Sequence, residues 1–166
     1  AGLVKDYKFN NLKYRMPPKM VKSIERGQIF GLEAASEALE SSGLLEQLGN
    51  GSNRVGVILG TIAGERQSKN IIRVRKNYIG RVLENCEGLS GDAGKTLASD
   101  LVNRIRETIP ENNEDTIPGL LSNIVSGRVA NTFGCNGANY VVDASCASST
   151  VATRLAVRGL QSGDYD

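Results

Sequence analysis

The stretch Tyr140-Val-Val-Asp-Ala-Ser-Cys-Ala-Ser-Ser149 changes character at Cys146. It begins as a short apolar run typical of a buried strand, and it continues as a helical pattern from about Cys146 to Gln161. A thiol in the first turn of a helix meets unpaired backbone N–H groups and the positive end of the helix dipole, and both favour the thiolate. The stretch therefore predicts a strand over 140–144, a helix after it, and a candidate nucleophile between them.

Small residues surround Cys146 on both sides and permit two interpretations. They leave room for a substrate to reach the sulfur, and a tight turn could direct the Cys146 N–H at an oxyanion. They could equally serve only the close packing of a strand against a helix. If Cys146 is reactive, acyl transfer is favoured over redox chemistry, because no resolving cysteine lies nearby in the sequence.

The composition excludes several function classes. The 166 residues contain no histidine, so a Cys/His pair cannot form within this chain. Twenty Lys plus Arg against eighteen Asp plus Glu give a net charge of +2 without a basic patch, which gives nucleic acid binding little support. No membrane-length apolar run and no signal sequence are evident, so we expect a cytoplasmic protein without a membrane span.

The three cysteines are expected to be reduced. The spacings of Cys86, Cys135 and Cys146 match neither a disulfide framework nor a zinc site, and we expect neither a metal nor a cofactor. The length fits one domain or one half of a larger two-lobed fold. Because the sequence starts without methionine and stops just after a helix, we expect a fragment.

Helical and strand patterns are interspersed along the rest of the chain, and they predict an α/β fold with a mixed or parallel sheet. The first fifteen residues are expected to form a loop or arm, and Pro17-Pro18 should block a helix from entering the next segment. The predicted elements are a helix from Gln28 to Gly43, a strand over Arg54–Gly60, helices over 71–84 and 93–109, and a helix opened by Pro118-Gly119 and closed by Gly134.

Val142-Asp-Ala-Ser-Cys-Ala-Ser-Ser149 resembles the active-site signature of the β-ketoacyl synthases, the condensing enzymes of fatty acid and polyketide assembly. The resemblance is to the type found in modular polyketide and polyunsaturated fatty acid synthases. It extends in collinear order through 14–18, 31–39, 54–60 and 118–137. Ser145 departs from the pattern, since alanine is common at that position.

This resemblance implies a thiolase-like, layered αβαβα fold. Residues 1–166 would form the N-terminal part of the ketosynthase domain, which is one half of the two-lobed structure. The family's opening strand has no counterpart here. The C-terminal half, which in the family brings two histidines and a lysine, is also absent, which would explain the missing histidines.

The resemblance also implies a mechanism. Cys146 would accept an acyl group from an acyl carrier protein bearing phosphopantetheine, and the acyl group would condense with a malonyl-type thioester that loses CO2. The family uses no cofactor and is typically a homodimer. The loop containing Ile62 and Ala63 would lie near the acyl pocket, and the segment 116–120 would lie near the dimer interface.

Two other functions are compatible with parts of the pattern. The chain could be a non-catalytic, ketosynthase-like dimerisation or scaffold module, although such partners typically lack the cysteine. It could also belong to a thiolase-fold acyltransferase that acts on coenzyme A esters. In each case the isolated chain is expected to form no carbon–carbon bonds, because it lacks the groups that stabilise an enolate.

Overall fold

The computed structural model describes residues 7–62, 78, 81–83, 85–86, 88, 91–108 and 113–166. The chain divides into two compact units, one formed by Ala1–Gly64 with Asp115–Asp166 and the other by Glu65–Glu114. Most of the helix predicted over 71–84 lies outside the described residues. In the described ranges, no helix has the length and apolar character that a membrane crossing requires.

Helices and strands alternate in the first unit, which confirms the predicted α/β class. Its elements are α1 (Pro18–Ser23), α2 (Arg26–Ser42), β1 (Val57–Gly60), α4 (Ile124–Phe133), β2 (Asn139–Val142) and α5 (Ser148–Ser162), with 3-10 turns at Leu45–Asn50 and Ser145–Ala147. The second unit contains α3, Asp92–Thr108. This helix matches the one predicted over 93–109.

Strands β1 and β2 pair in parallel, with Val57 opposite Asn139 and Gly60 opposite Val142. Both are shorter than predicted. Ahead of β1 the pairing is irregular, since the Gly137 N–H donates to the Val55 carbonyl at 2.9 Å. After β2 the chain leaves the ladder at 143 and enters a tight turn. The predicted strands over 54–60 and 140–144 are therefore correct in place and too long by two or three residues.

Helix α2 is confirmed to within two residues of its predicted start. It ends at Gly43, whose φ of 70° lies in the left-handed region that favours glycine. Its apolar face packs into the main core of the first unit, with α4 and β1. That core consists of Tyr14, Met16, Ile24, Ile29, Leu32, Leu39, Leu48, Val57, Val129, Ala130 and Cys135.

Helix α1 corrects the expectation that Pro17-Pro18 block a helix. The helix begins at Pro18 itself, and Pro17 is the extended residue before it, with φ −61° and ψ 142°. Proline is well tolerated at the first helical position, because its missing N–H would have no intrahelical acceptor there. The proline pair therefore ends the extended arm and starts a six-residue helix.

Helix α4 begins at Ile124 and not at Pro118 as predicted. The segment 114–120 forms turns instead, because Gly119 is pressed against the junction of α1 and α2. A Cβ on Gly119 would lie 2.4 Å from the Ser23 carbonyl oxygen, and the Gly119 carbonyl accepts the Glu25 N–H at 2.9 Å. The end of the helix is as predicted, with Gly134 at φ 72°.

The C-terminal segment folds back onto β1. Gly163 ends α5 at φ 70°, as predicted, and the Tyr165 hydroxyl then donates to the Leu155 carbonyl at 2.9 Å. Arg54 pairs with the Asp166 carboxylate at 2.7 Å, and its carbonyl accepts the Asp166 N–H at 3.1 Å. These contacts fix the end of α5 relative to the start of β1, so they also help to position the turn at the other end of α5.

Candidate functional site

The carboxyl ends of β1 and β2 meet at one edge of the sheet, because the two strands are parallel. The Thr61 N–H donates to the Val142 carbonyl at 3.1 Å, which joins the residues that follow each strand. Gly60 lies against the first residues of α5, where a Cβ would come within 2.4 Å of the Ser148 carbonyl carbon. The predicted site residues Ile62 and Cys146 therefore belong to the same sheet edge.

Cys146 is exposed at this edge, in the 3-10 turn Ser145–Ala147. The expectation that it occupies the first turn of an α-helix is wrong by two residues, because α5 begins at Ser148. The chain needs this extra turn because Ser145, with φ 51°, bends it sharply after the extended strand. Among the described residues, the Cys146 N–H has no hydrogen-bond acceptor.

Side chains on both sides of Cys146 hold the turn. The Asp143 carboxylate accepts the Ser145 N–H at 3.0 Å, a local bond that offsets the cost of the left-handed conformation. The buried Ser148 hydroxyl accepts the Ala144 N–H at 2.9 Å and donates to the Ser145 carbonyl at 2.7 Å. The sulfur is thus presented by a small hydrogen-bonded loop, and the Ser145 hydroxyl lies 3.9 Å from it.

Nothing in the sequence distinguishes the structural role of Ser148 from that of its neighbour Ser149. Ser148 is 5% exposed and bridges two backbone groups of the turn, whereas Ser149 is exposed. Burial depends on how closely α5 approaches β1, and no local pattern encodes that distance. The sequence could identify only a run of small residues.

Replacing Ser148 with alanine is expected to destabilise the protein by about 1–3 kcal/mol, because the part-buried Ala144 N–H loses its acceptor. The turn around Cys146 should loosen, so its alkylation rate should also change. Urea denaturation and iodoacetamide labelling measure the two effects. Ser149→Ala is the matched control and should alter neither quantity; equal effects of the two variants would contradict the role given to Ser148.

Ile62 is 55% exposed and lines a cavity of about 40 Å³, which we call the Ile62 cavity. Ala63, the second residue predicted to contact an acyl group, lies outside the described residues. The other side of the Ile62 cavity includes Leu120 and Leu121, so the structure brings the predicted acyl-pocket residue next to the segment predicted at a dimer interface. Cys146 does not line this cavity.

Two polar residues of the Ile62 cavity region carry no recognisable sequence signal. Gln28 is 3% exposed, lines the cavity and bonds to Arg128, which projects from α4. The sequence pattern identifies Gln28 only as the start of an amphipathic helix. A buried glutamine at such a start is a weak hint at best, because most helix N-termini are solvated.

The three cysteines should differ in reactivity. Cys135 is buried, and burial raises the pKa of its thiol, whereas Cys86 and Cys146 are exposed. A raised pKa leaves fewer thiolates at pH 8, so Cys135 should alkylate at least about 10-fold more slowly than Cys86 and should respond only at higher pH. Mass spectrometry of the native protein after timed iodoacetamide treatment measures this order, which rapid labelling of Cys135 would contradict.

Comparison with known proteins gives a consistent result. The profile of the family "Beta-ketoacyl synthase, N-terminal domain" matches residues 1–166. The chain is 31% identical over 168 residues to one subunit of the polyunsaturated fatty acid synthase of Thraustochytrium sp., and it is covered completely while spanning 6% of that relative. It is 28% identical over 153 residues to the pikromycin polyketide synthase component PikAII of Streptomyces venezuelae, with 92% of the chain and 3% of the relative covered.

Proposed function

We propose that this chain, which belongs to the β-ketoacyl synthase family as its N-terminal domain, contributes the acyl-accepting nucleophile of a condensing enzyme. The observation that carries the proposal is the exposed Cys146 on a strained strand-to-helix turn at the carboxyl edge of parallel strands. Such strain at a surface turn is a common way to present a reactive side chain. The matching family gives this turn its chemical context.

In the first proposed step, the Cys146 thiolate attacks the carbonyl carbon of an acyl thioester on an acyl carrier protein. A tetrahedral oxyanion forms, and the Cys146 N–H, which has no acceptor among the described residues, supplies one hydrogen bond to it. The intermediate collapses by expelling the phosphopantetheine thiolate, which takes up a proton. The product is an acyl thioester on Cys146.

In the second proposed step, a malonyl-type thioester loses CO2 and leaves an enolate. The enolate carbon attacks the acyl carbonyl on Cys146, the new carbon–carbon bond forms, and the Cys146 thiolate departs. The groups that stabilise the enolate would come from the C-terminal half of the ketosynthase domain, because this chain has no histidine. We propose that the two halves together form the layered αβαβα fold.

The Ile62 cavity is proposed to receive the end of the acyl group. It lies at the sheet edge that also carries Cys146, and it is bounded by Leu120 and Leu121. The exposed Ile117, with 56% of its surface accessible, supports a homodimer in which the segment 116–120 contacts the partner protomer. In this arrangement both the sheet edge and the partner would enclose the acyl chain.

The proposal is tested by a condensation assay on the complete polypeptide that carries this chain. With an acyl thioester and a malonyl thioester on carrier protein, it should release CO2 and form a β-ketoacyl product, whereas the isolated 166-residue chain should form none. Product from coenzyme A esters alone would instead support a thiolase-type acyltransferase. Absence of product with either donor would favour a non-catalytic scaffold.

A further inference from the structure

The Ile62 cavity is small, and its size depends on one segment of irregular backbone. A volume of about 40 Å³ holds little more than one or two water-sized groups. Leu120 and Leu121 form the wall that faces Ile62, and they belong to the turns that precede α4 and not to a helix or strand. The position of this wall must therefore be set by contacts from outside the segment.

Gln28 of α2 supplies such contacts. Its side-chain Nε2 donates to the Pro118 carbonyl at 2.9 Å and reaches the Leu121 carbonyl at 3.5 Å, so one amide holds both ends of the wall. The side chain is 3% exposed, so water does not compete for these bonds. Breaking them inside the protein costs more than breaking the same bonds at the surface.

Arg128 of α4 orients the amide. Its Nε donates to the Gln28 Oε1 at 3.0 Å, which directs the Gln28 NH2 group toward the wall. Arg128 is itself fixed, because its Nη1 lies 3.2 Å from the Met20 sulfur. Burial lowers the pKa of this guanidinium and the Asp115 carboxylate opposes that effect, which still leaves an arginine charged at neutral pH.

We propose that Gln28, oriented by Arg128, is a positioning residue that holds the Pro118–Leu121 wall against the Ile62 cavity and thereby limits the size of the acyl group admitted. The inference rests on the proposed function for its substrate. A longer acyl chain enters only if Leu120 and Leu121 withdraw from Ile62, and that movement breaks the Gln28 bonds. Gln28 touches no reacting atom, so it acts on selectivity and not on the chemistry at Cys146.

Amide hydrogen exchange tests whether Gln28 holds the wall. The variants are Gln28→Glu, which keeps an acceptor for Arg128 but loses the donor to the wall, and Gln28→Leu, which loses both. The amides of Gly119, Leu120 and Leu121 should exchange at least about 10-fold faster in each variant, while the amides of α5 stay unchanged. Unchanged exchange at the wall in Gln28→Glu would overturn the proposal, as would uniform acceleration across the chain.

Acyl competition on the complete polypeptide tests the consequence for selectivity. With acetyl and hexanoyl thioesters supplied together, the ratio of hexanoyl to acetyl on Cys146 should rise at least about 5-fold in Gln28→Glu. The rate of Cys146 alkylation by iodoacetamide should not change. Gln47→Leu, at an exposed glutamine in the 3-10 turn Leu45–Asn50, is the matched control and should change nothing.

The two experiments separate this inference from the proposed function. An unchanged hexanoyl ratio would overturn the selectivity role even if the wall amides exchange faster. If Cys146 of the unaltered protein accepts no acyl group, the proposed function fails and the selectivity role fails with it. The exchange experiment would then still decide whether Gln28 positions the wall.

Discussion

Replacing Cys146 with alanine is expected to reduce acyl transfer by the complete polypeptide at least about 10³-fold, because the variant has no atom that can form the acyl thioester. The fold should be unaffected. The Cys146 side chain is exposed, and its one described polar contact is the long approach of the Ser145 hydroxyl at 3.9 Å. Steady-state condensation and single-turnover acyl loading measure the loss, and circular dichroism checks the fold.

The matched control for this variant is Cys86→Ala. Cys86 is also exposed, so its loss removes a thiol of similar accessibility from a different part of the chain. We expect wild-type activity from it. Equal losses in the two variants, or full activity in Cys146→Ala, would show that the strand-to-helix turn does not carry the nucleophile.

Replacing Gly60 with alanine is expected to destabilise the protein by about 3 kcal/mol, because the new methyl group overlaps backbone that cannot easily move. A Cβ at this position would lie 2.4 Å from the Ser148 carbonyl carbon and 2.5 Å from the Ser149 nitrogen. Relief requires α5 to move away from β1. That movement would also displace the turn that presents Cys146, so its alkylation rate should change together with stability.

Urea denaturation measures the change in the free energy of unfolding. The matched control is Gly127→Ala in the interior of α4, where the nearest atom to the new Cβ is the Asn139 Oδ1 at an ordinary 3.6 Å. Because alanine is the better helix former, this control should be neutral or stabilising by about 0.5–1 kcal/mol. If Gly60→Ala stays within about 0.5 kcal/mol of the wild type, the close approach of α5 to β1 is not as described.

The parts of the fold that sequence predicted well are those with strong local signals. Helix α2 has an apolar face of regular spacing and ends at a glycine, and the glycines at 43, 134 and 163 all adopt the left-handed conformation expected after a helix. The chain also turns from strand to helix around Cys146 as predicted. In these places local preference and tertiary packing favour the same structure.

The errors occur where distant contacts decide the backbone. Pro118-Gly119 looks like a helix start, but Gly119 packs against the Ser23 carbonyl, about a hundred residues earlier in the chain, and α4 starts later. The 3-10 turn at Cys146 depends on the Asp143 and Ser148 side chains, and sequence alone could not show that these side chains bond within the turn. Such contacts have no local pattern.

The candidate site was predicted only in part. Cys146 and Ile62 were identified, the first from its turn and the second from the family resemblance, and both follow strands that end at the same sheet edge. Gln28 and Arg128 were not identified, because their importance depends on burial between helices distant in sequence. A polar residue at the start of an amphipathic helix gives no sign of such a contact.

The central claim is that Cys146 accepts the acyl group, and the position and chemistry of the adduct test it most directly. The protein is incubated with a carrier-bound acyl thioester, digested and mapped by mass spectrometry, with and without neutral hydroxylamine, which cleaves thioesters. We predict one acyl group, on the peptide that contains Cys146, removed by hydroxylamine and absent from Cys146→Ala. An adduct confined to Cys86 or Cys135, or one that resists hydroxylamine, would contradict the account.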